Sequence, residues 1–209
     1  MTFTLLARDP DSGDIGFAIA SYWPAVGGVV PYYRRGVGLV AAQSNANAAM
    51  AEALLDTLAA GAFPAEAMLS VLPHFAPEDR QVLLLTHGGH ATIRTGPLVE
   101  GAVSEAEGPD CVAAGNRLAN EAIAPAMIEG YLASRERPFA DRLLAALRAG
   151  EAAGGDKRGR EAAALRIWPR HYPDPLLLPL DIRCDEDPDP VSVLERALDR
   201  RRSVEMTKY

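Results

Sequence analysis

The spacing of apolar residues changes period several times along this chain, and the order of those changes limits its fold more than any composition figure does. The first 45 residues read as strands. Thr2–Ala7 is apolar and β-prone, Asp9-Pro-Asp-Ser-Gly13 supplies turn chemistry, and Ile15–Ser21 completes a hairpin. Val26–Val30 and Gly38–Ala42 are expected as further short strands, separated by Tyr32–Gly36. A helical stripe follows, with Met50, Leu54, Leu55 and Leu58 between an Asn47 N-cap and a Gly61 stop. Pro64–Leu72 is a second helix opened by proline. Strands return at Gln81–Thr86 and Ala91–Thr95, joined by the loop His87-Gly-Gly-His90. Cys111–Ala113 is a short strand running into Gly115-Asn116, with a helix to about Leu132 and another over Phe139–Glu151. Beyond the glycine-rich turn Glu151–Gly159 come strands Ala162–Trp168 and Leu176–Ile182, then a helix capped by Asp189-Pro190. Helices thus arrive in pairs between blocks of strands. A parallel doubly wound sheet needs strict alternation instead. The pattern suits stacked, largely antiparallel sheets with helices outside.

Composition narrows function. A length of 209 residues suits one domain, and 48% hydrophobic residues can build a core. The net charge of −7 repels phosphate backbones, so no nucleic-acid partner is expected. Cys111 and Cys184 cannot make a disulfide framework or a four-cysteine zinc site, and their apolar strand contexts mark them as core residues. No apolar run approaches the roughly 20 residues of a membrane span, so no membrane partner is expected. Met1–Asp9 has neither a basic n-region nor a long apolar h-region, which points to a cytoplasmic protein. No GxSxG, HExxH, Walker or Rossmann motif is present, and His87 and His90 have no third ligand near them in sequence. Neither a cofactor nor a metal is expected.

Thr2 is the first residue with chemical promise. Initiator methionine is normally removed before a small residue, leaving a threonine that carries nucleophile and base together; its α-amine has an ordinary pKa near 8. Threonine after methionine is also simply common. Asp156 and Arg158, held by glycines in Gly154–Gly159, could orient a nucleophile or bind a carboxylate; a helix cap followed by a solvated turn explains them as well. Gln43-Ser-Asn-Ala-Asn47 sits at a strand-to-helix corner, where amides and N–H groups suit an oxyanion or a helix cap; the same choice applies to Asn116. The Tyr22-Trp23 and Tyr32-Tyr33 clusters could wall a pocket, form a dimer face or pack ordinarily.

Several stretches together carry a family resemblance. They are Thr2–Pro10, Gly16–Ser21 with Trp23 and Ala25–Gly27, Gly36–Gln43 with Asn47, Gly115–Ala119, Ala152–Gly159 continuing into Ala163–Leu165, and Asp187-Pro-Asp-Pro-Val191. In these the chain resembles the DUF1028 family, placed in the N-terminal nucleophile (Ntn) hydrolase superfamily. The resemblance covers a single domain, residues 1–198, and leaves 199–209 as a charged tail. It implies an α+β fold of the Ntn type: a four-layer αββα sandwich of two mostly antiparallel sheets flanked by helices. It further implies hydrolysis of an amide-like C–N bond in a small-molecule substrate. Thr2 would attack with its own amine as base and Ser21 in support. Gln43, Asn47 and Asn116 would contact oxyanion or substrate, and Asp156 and Arg158 would tune the amine and hold substrate charge. Where the family usually has Gln-Ser, this chain has Glu161-Ala162, and it lacks the strand-two aspartate and strand-three lysine of proteasome-type members. A non-catalytic ligand-binding protein that retains Met1 is the alternative, and the aromatic clusters suggest a homodimer.

Overall fold

The structure is a computed structural model and describes residues 2–155, 158–171 and 180–206. Its strands are β1 (Thr2–Arg8), β2 (Ile15–Ser21), β3 (Pro31–Arg34), β4 (Gly38–Gln43), β5 (Gln81–Thr86), β6 (Ala91–Thr95), β7 (Ala102–Gly108), β8 (Cys111–Leu118), β9 (Ala162–Trp168) and β10 (Leu180–Cys184). Its α-helices are α1 (Ala48–Ala59), α2 (Pro64–Val71), α3 (Ile123–Ala133), α4 (Phe139–Ala152) and α5 (Pro190–Met206). One sheet has the order β10-β9-β2-β1-β8-β7 and the other β3-β4-β5-β6, with antiparallel pairing throughout.

Period-two alternation builds the layers. On β1, Phe3, Leu5 and Ala7 point outward to α3 and α4, against Met127, Tyr131, Leu143 and Leu147, while Leu6 points inward. The inner faces of both sheets meet through Leu6, Phe17, Ile19, Leu39, Leu83 and Leu85. On the far side Val40, Val82 and Leu84 pack against Met50, Leu54, Leu55 and Met68 of α1 and α2. The chain is therefore a four-layer αββα sandwich of two antiparallel sheets, the architecture that the resemblance implied. Burial on both faces explains why β1 reads as a nearly continuous apolar run.

Some segments depart from expectation. Val26–Val30 is not a strand: Val26–Gly28 forms a 3-10 turn entered through Ala25 at φ 53°. Gly27 fits there because a Cβ would lie 2.3 Å from Ala164 Cβ, so the turn rests directly on β9. The residues read as a spacer, Tyr32–Arg34, belong to edge strand β3, where proline is tolerated at the first position. Strand β7 was not expected at all; its charged, small-residue sequence shows no apolar alternation because it closes an edge. Strand β8 continues to Leu118, and the next helix starts only at Ile123. The expected strand Leu176–Ile182 is observed as Leu180–Cys184, its first four residues lying outside the described ones. Helix α5 runs through most of the expected tail, and Arg202 holds Asp141 of α4 at 2.5 Å. No described helix is long and apolar enough to cross a membrane.

At the end of β1 remote from Thr2, Arg8 pairs with Asp110 at 2.7 Å, and buried Arg142 reaches Asp9 at 3.2 Å while lying 4.3 Å over the Tyr131 ring. Removing one partner of a buried pair strands the other charge, so Arg142→Ala should cost about 3–5 kcal/mol in urea unfolding. Adding Asp9→Asn to an Arg142→Met background should recover part of that loss. The thiols behave as core groups. Burial pushes Cys111 up to about 12 and also raises Cys184. Ellman's reagent at pH 8 should therefore find neither thiol in the native protein and both of the chain's 2 cysteines after guanidinium unfolding.

Candidate active site

The interlayer core changes character at one end. The inner-face series Leu6–Thr4–Thr2, Phe17–Ile19–Ser21, Val112–Ala114–Asn116, Leu39–Ala41–Gln43 and Leu85–Leu83–Gln81 each run from apolar residues to a polar one. Register brings those ends together, since Thr2 stands opposite Ser21 on β2 and opposite Asn116 on β8, and Gln43 opposite Gln81. Thr2 Oγ1 lies 3.2 Å from Ser21 Oγ, which also accepts the Trp23 N–H at 2.9 Å.

Behind Thr2 a chain of amides and hydroxyls crosses between the sheets. Thr4 donates to Gln43 Oε1 at 2.7 Å. Gln43 Nε2 donates to Gln81 Oε1 at 2.7 Å and to the Ala114 carbonyl at 3.2 Å. Asn116 Nδ2 donates to the same Gln81 oxygen at 3.1 Å. Gln81 Nε2 donates to Thr95 Oγ1 at 2.7 Å and to the Gly115 carbonyl at 3.1 Å, and Thr95 donates to the Glu105 carboxylate. Backbone carbonyls only accept, so those of Ala114 and Gly115 orient the Gln43 and Gln81 amides and set the direction of the bonds between them. Two consequences follow for the amides. Both N–H bonds of Gln43 are engaged inside the protein. Asn116 has two, and Gln81 takes one.

The network forms one wall of a cleft of about 400 Å³, to which Thr2, Gln43, Asn116 and Arg158 all contribute. Ser21 is buried beside Thr2. Arg158 lies 4.5 Å over the Tyr22 ring. Asn47 stands apart from the cleft lining, because its Oδ1 accepts the Met50 N–H as the cap of α1. Asp156 falls outside the described residues. Of the family departure, Ala162 stands opposite Ser21 in register, and Glu161 lines an adjacent cavity of about 640 Å³ on the far side of Arg158. Among the described residues no three His, Cys, Asp or Glu groups are placed to hold a metal.

Sequence reading missed Thr4, Gln81, Thr95 and Glu105, and also the lining residues Val26, Val29, Val30 and Arg117. Gln81 did leave a signal: it opens an otherwise apolar strand at an inward position of the alternation. The cleft also concentrates strained backbone. Of the five described non-glycine residues with positive φ, Ser44 (71°) and Arg117 (54°) line the cleft, and Ala25 (53°) begins the turn carrying Val26. Such conformations cost of order 1–3 kcal/mol each and tend to gather where a site must be shaped.

Comparison with known proteins places this geometry in a family. A crystal structure of a Silicibacter pomeroyi protein assigned to DUF1028 is 30% identical, covering 95% of this chain and 88% of that one, with a TM-score of 0.85. Anbu (ancestral β-subunit) from Yersinia bercovieri aligns at 10% identity over 99% of this chain and 97% of that one, with a TM-score of 0.39, too low to carry any argument. No curated protein matches. A family model described as a family of unknown function (DUF1028) matches residues 2–194, and the chain belongs to that family.

Proposed function

We propose that this protein hydrolyses an amide-like C–N bond in a small molecule, as an Ntn-type hydrolase whose nucleophile is Thr2 once Met1 is removed. The observation that carries this reading is the position of Thr2 Oγ1: on a cleft wall, 3.2 Å from the Ser21 hydroxyl and opposite Asn116 in register. A terminal threonine here has an amine within its own residue to serve as base. As the Oγ–carbon bond forms, the Oγ proton passes to the α-amine and the carbonyl electron pair moves onto oxygen. The second N–H of Asn116 is the donor suited to that oxyanion. The C–N bond then breaks, the leaving nitrogen takes the proton from the ammonium, and Thr2 is left as an ester. Water attacks the ester, again giving its proton to the amine; the C–Oγ bond breaks and Oγ regains a proton. The net change is amide plus water to acid plus amine. Gln43, with both N–H bonds engaged, acts in this reading by positioning Thr4 and Gln81.

The test combines intact mass with a screen of amides, lactams and ureides read by mass spectrometry. The native protein should lack Met1, and Thr2→Ala should lower turnover by at least about 10³-fold while keeping its melting temperature. Active protein that fully retains Met1 would sink the mechanism. Asn116→Ala should lower kcat by about 10²–10³-fold with KM little changed, as expected for a donor used mainly in the transition state.

A further inference from the structure

We infer that the cleft selects amides carrying an apolar acyl group on one side of the scissile bond and a free carboxylate on the other, the chemistry of an N-acyl amino acid; this rests on Thr2 being the nucleophile. The two flanks of Thr2 differ. On the β2 side the chain leaving Ser21 supplies Trp23, Val26, Val29 and Val30 to the lining. Val26 and Val30 are anchored in the interlayer core, whereas Trp23 is 67% exposed and Val29 44% exposed. A small apolar wall that grades from core to rim beside a few convergent polar groups is the usual form of a ligand subsite. An indole offers the largest apolar area for a substrate chain to cover.

On the β8 side the residue after Asn116 is Arg117. Thr2 is flanked by Ser21 on one strand and Asn116 on the other, so the apolar wall and Arg117 leave from opposite sides of the nucleophile. The backbone of Arg117 is held at φ 54°, and its N–H donates to the Glu100 carbonyl at 3.1 Å. Its guanidinium touches Glu100 at 2.6 Å through Nη2, in a pair with both side chains substantially exposed. Such a pair is weak, and a guanidinium has five donors, so Arg117 can orient on Glu100 and still present an edge to a carboxylate. Among the described residues the lining carries a second guanidinium, Arg158, and no carboxylate, although acidic residues outnumber basic ones in the chain by 28 to 21. The local charge thus opposes the overall charge, as a site for an anion requires.

The experiment uses full-length protein with Met1 removal verified by mass. N-octanoylglycine is compared with N-propyloctanamide, which lacks the carboxylate, and with N-acetylglycine, which lacks the long acyl chain. For N-octanoylglycine kcat/KM should be higher than for either by at least about tenfold. Arg117→Gln should erase the advantage over N-propyloctanamide, and Trp23→Ala should erase the advantage over N-acetylglycine. Calorimetry of the same three compounds on Thr2→Ala gives the binding preference without turnover. Equal or faster hydrolysis of N-propyloctanamide would overturn the inference and leave Thr2 as nucleophile. Binding with the expected preference but no turnover by the processed wild type would overturn the nucleophile and leave the selectivity. Neither binding nor turnover of N-octanoylglycine would overturn the inference, and the wider amide screen would then decide on Thr2 alone.

Discussion

Two sheets packed face to face bury their inner surfaces, so a polar side chain between them is costly unless it finds a hydrogen-bond partner. The chain from Thr4 through Gln43, Gln81 and Thr95 to Glu105 meets that constraint, and the candidate site depends on it. It allows the interlayer to end in amides instead of leucines. It fixes which atom of each amide faces which neighbour. It also leaves Asn116 with donor capacity at the cleft while Gln43 has none to spare. Because the bonds share acceptors, loss of Gln81 would disturb Asn116 and Gln43 together.

A second set of charges holds the other flank. Arg148 of α4 reaches Glu151 at 3.0 Å and Glu195 of α5 at 2.6 Å, while Arg160 reaches Glu151 at 2.5 Å and Asp189 at 3.4 Å. A hydrogen bond from Ser192, helped by Arg160 and Arg148, holds the Asp189 carboxyl below its usual range. This web ties the exit of the glycine-rich segment to the end of one helix and the start of another. Arg158 lies two residues before Arg160, so the segment that brings it to the cleft is anchored close behind it.

Much of the fold was legible because alternation and helical stripes are local. The β1–β2 hairpin, the paired helices and the Asn47 cap all lie in short stretches whose chemistry is complete in itself. What escaped was set by distant neighbours. Val26–Val30 has strand-like valines, but the close contact of Gly27 with Ala164 on β9 decides its shape. Strand β7 carries no apolar signal because edge position, not burial, defines it. The site divided in the same way. Thr2, Gln43 and Asn116 were singled out from local chemistry and, with Ser21, given roles by a family resemblance; sheet register and interlayer hydrogen bonds bring the four together. Gln81 and Arg117 went unnamed because their importance comes from what stands across the interlayer or beside the nucleophile, 35 residues and more than a hundred residues away in sequence, respectively.

The placement of β1 has a practical consequence. Chain ends usually fray and tolerate extensions. Here the second residue is paired on both sides within the six-stranded sheet and forms part of a cleft wall. A peptide fused ahead of Thr2 starts from a residue of that cleft wall and acylates the α-amine that the proposed mechanism uses as base. An affinity handle is better carried beyond α5, at the other end of the chain, which contributes nothing to the described cleft lining.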